Sequence, residues 1–590
     1  MKIFIDQVRI ANFRAIQKLE MALSPFTVLV GTNNSGKTTF LRALHLALGE
    51  GRKLVAKEDF HISNGVSADE IVIDIRIVPV DTHWKRTPKF DTPWFPGEFT
   101  DSQICVDERG SEHVALRTRI VSDVRKGGGY SFERTFLRKW DTFENWPNNT
   151  FEGEKSPQFE AIPLYFIDAQ RDILQDLREK NSFLGRLSSR IRFPKDKVLE
   201  IEQLLANLNS EIVAGSPVLK HLSKKLSELN ETIGTKKTGI EITPVQKKIR
   251  DIGKGLNIHL AEGDAESLPL DYHGMGTRSW ASLLAIKAFV SWEVQESQKE
   301  GEPFHPILAL EEPESHLHPN AQRHLFTQMT QMEGQKIVST HSPFIAARCN
   351  LADIRHFCKN HDGPDIGRIS ETLTKDEIKK IEREIMNTRG ELLFAKAVVL
   401  CEGMTEELML PIFAEAHWGK SHFENGICLS GVGSGTNYGA FISFCHSFKI
   451  PWFIFGDGEA DIVKRLDETL DKLGFSKSND SANIILLPKG QKIETYLVEQ
   501  GYQSDLKSAI FELQKDDYAN DQHRNAKKKE IERMDDKTII QFLESNKTRI
   551  APYIAEAIVQ NDDPNKRVPS AFSKLFQEID KHLSGGQNIT

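Results

Sequence analysis

The pattern of apolar and polar positions changes character along the chain. From residue 1 to about 170, short apolar or alternating runs stand between turn signals: IFIDQVRIANF, FTVLVG, EIVIDIRIVPV and LYFIDA. Period-two alternation and brief continuous apolar runs are strand patterns, so this part is expected to build a sheet. Between about 172 and 262, leucine and isoleucine recur at helical spacing. They run from Leu199, Leu204, Leu205, Leu208 and Ile212 to Leu219, Leu222, Leu226 and Leu229, with a break at Gly215 to Pro217. A slender helical pair needs a further apolar surface to cover its stripe, which predicts an inserted dimerisation arm. A helical subdomain packed on its own core is the alternative. Alternation returns with ILALEE and KIVST. The polar stretch Lys359 to Asp365 and a charged helix over Lys375 to Glu384 are expected to separate this half from AVVLCEG, ICLSG, WFIFGDG and NIILLP. These last runs predict a second parallel-sheet domain. The expected boundaries are 1–171 and 263–390 for the two parts of the first α/β domain, 172–262 for the insertion and 391–590 for the second domain. The basic segment 515–540 reads as a charged helix or a flexible insertion.

Composition narrows the class. The 590 residues exceed a usual domain of roughly 100 to 200 residues severalfold, so about three or four folding units are expected. Hydrophobic residues at 39% and charged residues at 27% exclude a disordered or collagenous chain. Six cysteines without a CxxC pair exclude a zinc ribbon and a disulfide framework and fit a reducing compartment. The start MKIFIDQVRI lacks a signal-peptide core, and no run reaches the ~18 apolar residues of a membrane span. A cytoplasmic location without membrane contact is therefore expected. With a net charge of -8, any nucleic-acid binding must rest on local clusters. Two stand out: Lys220, Lys224, Lys225, Lys236, Lys237, Lys247, Lys248, Arg250 and Lys254, then Arg524, Lys527, Lys528 and Lys529. A solvated helix face explains each equally well.

GTNNSGKT at 31–38 follows the strand FTVLV and precedes the helix-like TFLRALHLAL. Glycines let backbone N–H groups turn toward phosphates, and the helix N-terminus adds a positive dipole. Gly31, Asn33, Asn34, Ser35, Gly36 and Thr39 would cradle ATP, Lys37 would contact its β- and γ-phosphates, and Thr38 would place a hydroxyl on one Mg²⁺. ILALEEPE at 307–314 ends a strand in two acids. Glu311 falls at the metal position usually held by aspartate, and Glu312 at that of the base polarising water. ESHLHP at 314–319 resembles a D-loop. VSTHSP at 338–343 puts His341 where ABC-type ATPases carry a switch histidine. HGMGTRS at 273–279, with Gly274, Gly276 and Ser279, resembles the signature loop that reaches the nucleotide of a second subunit, although it is not spelled LSGGQ. IANFRAI at 10–16 resembles the N-terminal segment of SMC and related repair ATPases. A signature loop acting in trans would require a homodimer or higher oligomer.

CEGMTE at 401–406 sets Glu402 at a strand end and Glu406 four residues on, in the first turns of a helix. WFIFGDGE at 452–459 ends another strand in Asp457 and Glu459. Parallel strands deliver such residues to one edge of a sheet, so the four acids can converge on a cation. The constellation resembles a Toprim domain, with DxE where the family has DxD. KIETYL at 492–497 adds Glu494, and NKTRIAPYIAEAI at 546–558 adds Lys547 ahead of an amphipathic helix.

The P-loop head, helical insertion, EEPE strand end and C-terminal Toprim together resemble the OLD (overcoming lysogenisation defect) nuclease family, an architecture shared by the nuclease subunit of Gabija defence systems. The resemblance implies an α/β chain with an ABC/SMC-like P-loop ATPase head, an inserted dimerisation arm and a C-terminal Toprim nuclease. It further implies two-metal cleavage of DNA, with two Mg²⁺ or Mn²⁺ ions on Glu402, Glu406, Asp457 and Glu459. Glu494 would assist metal binding, and Lys547 would neutralise charge on the scissile phosphate. Anti-phage defence, beside a helicase or a reverse transcriptase, is implied by the same analogy. Rival readings are weighed against it. A topoisomerase lacks a recognisable tyrosine motif, a primase lacks its zinc ribbon, and a pure transporter ATPase has no support from the C-terminal third. A non-catalytic SMC-like DNA-binding or repair ATPase with a degenerate Toprim is the main alternative.

Overall fold

The eleven residues Glu70–Val80 read EIVIDIRIVPV and form one strand, whose side chains other than Glu70 and Arg76 are apolar or, at Asp74, paired in the interior. A computed structural model describes residues 2–49, 55–123, 129–148, 152–156, 159–168, 194–222, 245, 259–260, 267–360, 363–515 and 520–584. In chain order it begins with strands β1 (Lys2–Phe13), β2 (Ile16–Ala22) and β3 (Phe26–Gly31), followed by helix α1 (Lys37–Leu48). Next come β4 (Glu70–Val80), β5 (Glu112–Asp123), β6 (Gly129–Leu137), β7 (Leu164–Ile167), α2 (Lys195–Gly215), α3 (Met275–Glu300), β8 (Ile307–Glu311), β9 (Gln335–Ser339), β10 (Ile354–Asn360) and β11 (Gly363–Gly367). The C-terminal part holds β12 (Ala397–Cys401), α4 (Met404–Trp418), β13 (Ile427–Gly431), α5 (Tyr438–Ser447), β14 (Trp452–Gly456) and β15 (Ile484–Leu486). It closes with α6 (Ile493–Glu499), α7 (Gln503–Leu513), α8 (Asp521–Glu532), α9 (Asp536–Val559) and α10 (Ser570–Leu583).

The chain divides into two compact units. The first comprises Met1–Asp6, Leu41–Lys57 and Ile73–Val338. Within it β5 and β6 pair antiparallel from Ala115↔Leu137 to Asp123↔Gly129. Arg117 forks onto Asp74 with two 2.8 Å bonds, and the Trp146 indole donates to the same carboxylate at 2.6 Å. A buried charge is tolerated only when paired in this way. Strands β7 and β8 run parallel, Leu164 beside Ile307 through Ile167 beside Leu310. The fully buried β8 therefore emerges at Glu311. Helix α2 ends at Gly215, and a new helical stretch starts after Ser216, as the break at Gly215 to Pro217 predicts. Leu199, Leu204, Leu208 and Leu222 are exposed on it. Most of the remainder of 172–262, including the second half of the expected arm, lies outside the described residues.

The second unit comprises Gln7–Phe40, Glu58–Val72 and Ser339–Thr590. Here β3 pairs parallel with β10, Val28 beside Ile354 and Gly31 beside Phe357. In the polar stretch Lys359 to Asp365, expected as a separator, the described residues belong to paired antiparallel strands, with Lys359 facing Pro364 and Asn360 facing Gly363. The C-terminal sheet has the order β13, β12, β14, β15, and every neighbouring pair is parallel. Helices α4, α6, α7, α9 and α10 cover it with one apolar core that includes Phe413, Phe455, Leu497, Ile510, Leu543, Ile554, Phe572 and Phe576. The segment 515–540 contributes the charged helix α8, exposed along almost its whole length. Among the described residues, no helix is long and apolar enough to cross a membrane.

Candidate active site

The C-terminal sheet explains how distant acids share one edge. Cys401, the last residue of β12, lies beside Gly431 and Phe455, and Gly456 lies beside Leu486. Glu402 and Asp457 therefore leave the sheet at the same level. Gly458 follows Asp457 where a Cβ would stand 2.2 Å from Pro488 O and 2.4 Å from Leu487 O. Its N–H donates to Gln491 O at 2.9 Å, and its carbonyl accepts from Gly490 N at 2.8 Å. The Asp-Gly-Glu turn is thus clamped to the loop after β15, and only glycine fits between the two acids. Helix α4 carries Glu406, which is buried, and α6 carries Glu494, which is 3% exposed.

These carboxylates feel one another. Burial first, then the charges of Glu406, Glu494 and Glu459, raise the pKa of Asp457 to about 7 against the opposing pull of Lys547. Burial likewise raises Glu406, reinforced by Glu494 and Glu402 and opposed by Lys547. Loss of hydration and like-charge repulsion both disfavour the ionised form. Compensation is sparse. Gly435 N donates to Glu402 Oε1 at 3.2 Å, Ile493 N donates to Asp457 Oδ1 at 3.1 Å, and Lys547 Nζ stands 3.6 Å from Glu494 Oε1. Glu402 Oε2 and both Glu494 oxygens are buried without a hydrogen bond. Buried carboxylate oxygens without donors are the arrangement a divalent cation satisfies, and an all-oxygen donor set suits Mg²⁺ or Mn²⁺. As placed, no three His, Cys, Asp or Glu side chains among the described residues converge tightly enough to grip one ion.

One expectation needs correction. Lys547 does not precede an amphipathic helix; it lies inside the 24-residue α9. The N-cap Asp535, which accepts from Thr538 N, starts the helix at Asp536, well before Ile550, where the IAPYIAEAI pattern begins. Three further groups were not legible from the acid motifs: the Gly435 N–H, Lys492 and Glu544. Lys492 opens the KIETYL run, so its position beside Glu494 is the one signal that pointed to it. Glu544 precedes Lys547 by three residues, one helical turn on α9.

The phosphate loop is also in the second unit. Gly31 has φ +134, and a Cβ there would stand 2.4 Å from Phe357 O. Asn34 at φ 58 and Gly36 at φ 109 complete a turn whose backbone curls ahead of α1. Lys37 is buried and donates to Gly31 O and Thr32 O at 2.9 Å each, with Ser35 Oγ at 3.5 Å. Asn33 and Asn34 are exposed, Ser35 and Gly36 are buried, and Thr38 and Thr39 are half-buried. His341 is half-buried, between Thr340, whose N–H donates to Leu29 O at 3.0 Å, and Ser342, which caps the next helical turn.

In the first unit, Glu311 ends β8 buried and Glu312 follows in the left-handed region at φ 43. A non-glycine residue held there marks a turn fixed by its surroundings. Gly274 caps α3 with open space around its Cα, whereas a Cβ on Gly276 would stand 2.7 Å from His316 O. Ser279 is buried with no hydrogen bond to its Oγ. Of the signature residues, Gly274 is therefore the open one, and Gly276 and Ser279 face the interior of their own unit.

A strand–loop–helix phosphate cradle and a C-terminal acidic parallel sheet define a P-loop ATPase joined to a Toprim domain. A family model for an AAA domain of the AbiEii toxin, Type IV TA system group matches residues 26–347. The chain belongs to that AAA-domain family. The TOPRIM domain of proteins like the overcoming lysogenization defect protein matches residues 393–458. The OLD nuclease of Thermus scotoductus is 25% identical over 504 residues, spanning 79% of this chain and 84% of its own length. The Old nuclease of Escherichia phage P2 is 23% identical and covers 74% of each chain. Endonuclease GajA of Bacillus cereus is 20% identical over 80% of this chain and 78% of its own. The chain is thus a homologue of OLD nucleases with a Gabija-like relation, and its two domains imply use of a nucleotide and a divalent metal.

Proposed function

We propose that the protein is an ATP-binding, divalent-metal-dependent DNA endonuclease that nicks or cuts DNA. The observation that carries this reading is the buried, mutually repelling acid group Glu402, Glu406, Asp457 and Glu494, with orphaned oxygens and Lys547 alongside. Similarity to nucleases over 79% and 74% of the chain supports the same chemistry. Glu402, Glu406, Asp457 and Glu459 would hold two Mg²⁺ or Mn²⁺ ions, with Glu494 as an assisting ligand. Bound metal would supply an activated water and a counter-charge for the leaving oxygen. The half-exposed Lys547 ammonium would meet the scissile phosphate and disperse its developing charge. Gly435 and Ile493 keep Glu402 and Asp457 in place through their backbone N–H groups.

At the phosphate loop, ATP would take the Lys37 ammonium from its own loop carbonyls, Thr38 would be a Mg²⁺ ligand and His341 would sense the γ-phosphate. In the first unit, Glu311 would be a Mg²⁺ ligand and Glu312 would polarise water. Gly274 presents the open end of α3 to the nucleotide of a second subunit, which makes a homodimer or higher oligomer the working unit. Cytoplasmic anti-phage defence, beside a helicase or reverse transcriptase, fits the similarity to GajA.

The test is plasmid nicking by Glu402→Ala and Lys547→Ala, measured with ATP binding in parallel. Each is expected to lose nicking by at least about 100-fold while ATP binding survives. Undiminished cleavage by both contradicts the site assignment.

A further inference from the structure

Beside the acids stands a cation to which the proposed chemistry gives no task. Lys492 places Nζ 3.6 Å from Glu459 Oε1 and 3.4 Å from Glu544 Oε1. The lysine is 35% exposed and each acid 40%, so both ion pairs are of the surface kind, weak and readily exchanged. A weak pair still matters for what it occupies. The ammonium donates a hydrogen bond to Glu544 Oε1 and at the same time stands 3.6 Å from Glu459 Oε1, so its charge is shared between an acid of the group and one outside it. Glu544 gives the ammonium a second berth, and it does so from α9, one turn away from the lysine that faces Glu494. The helix thus supplies Lys547 to one acid of the group and, through Glu544, a rival acceptor for the lysine on another.

We propose that Lys492 is a placeholder cation, which shares its charge between Glu459 and Glu544 until a divalent metal ion enters and then settles on Glu544 alone while Glu459 turns to the metal. Lys492 is in this sense a positioning residue, and the inference rests on the reading of the acids as metal ligands. Glu544 then acts on metal binding through Lys492 alone. That point separates the exchange from a general field effect, in which each charge contributes independently.

The experiment is a Mn²⁺ titration of the nucleotide-free, full-length protein, followed by the electron paramagnetic resonance of free Mn²⁺. Wild type is compared with Lys492→Met, Glu544→Gln, the double variant and Lys492→Arg, with Asp457→Asn identifying the site. Lys492→Met should bind Mn²⁺ roughly two- to fivefold more tightly, and Glu544→Gln should bind more weakly by a similar factor. In the double variant the Glu544→Gln effect should vanish, so that it matches Lys492→Met. Lys492→Arg should stay near wild type. All the substituted side chains at 492 and 544 are partly exposed, so melting temperatures should not move. Unchanged or weaker binding by Lys492→Met overturns the inference, and so does an additive double variant. Mn²⁺ binding that Asp457→Asn leaves intact, or no binding at all, overturns the metal-site reading as well.

Discussion

The phosphate loop and the acidic centre treat charge in opposite ways. In the loop, the Lys37 ammonium is surrounded by the oxygens of Gly31, Thr32 and Ser35, all within six residues. Its charge is satisfied locally, and left-handed backbone at Gly31, Asn34 and Gly36 sets the shape. In the acidic centre, groups from residues 402 to 547 are pressed together by the fold, and their repulsion is offset by Lys547, by Lys492 at Glu459 and by the backbone N–H groups of Glu406, Gly435 and Ile493. The loop is an arrangement of backbone geometry. The centre is an arrangement of unresolved charge, so it should respond strongly to pH and to cations, and the loop should respond to neither.

The sharpest way to break the comparison is to remove the lysine of the loop. Lys37→Ala should weaken ATP binding by roughly 10- to 100-fold, the worth of a charge-assisted hydrogen bond to phosphate. Mn²⁺ binding at the acids should be unchanged, and equilibrium dialysis of both ligands checks the pair. A second substitution tests the backbone claim. Gly31→Ala forces a Cβ against Phe357 O at 2.4 Å and holds alanine at φ +134. It should cost roughly 2 to 4 kcal/mol in a denaturant titration, with no dependence on pH.

The acidic centre predicts a pH effect of defined sign. The Asp457 pKa is raised from 3.8 to about 7 in the folded chain. Between those values the folded state holds a proton that the unfolded state releases, so stability falls as pH rises through this window and stays lower above it. Without metal, Asp457→Asn should therefore melt above wild type at pH 8 and together with it near pH 4. The gain at pH 8 is roughly 1 to 3 kcal/mol once the coupling to Glu406 is allowed for. Mg²⁺ should narrow the difference by stabilising wild type selectively.

Much of this was legible in the sequence because the decisive residues are local. The P-loop lies between a strand and a helix that its neighbours predict independently, and the runs ending at Glu311, Glu402 and Asp457 are strands as read. What escaped were features set by tertiary placement. Lys359 to Asp365 is polar like a linker, yet its described residues pair as antiparallel strands. Lys547 sits mid-helix because the polar first half of α9, before IAPYIAEAI, carries only a few buried positions such as Ile539 and Leu543. Lys492 and Glu544 are 52 residues apart and meet only when α6 and α9 pack together. The inward packing of Gly276 and Ser279 depends on the turn at His316, which no local pattern reveals.

The account turns on the acids as a metal-dependent cutting centre, and a metal titration of plasmid nicking tests it directly. Nicking by wild type should rise from zero in chelator to saturation with Mg²⁺ or Mn²⁺, and Glu402→Ala should stay flat across the same range. Nicking that persists in chelator, or a Glu402→Ala curve that overlays wild type, would contradict it.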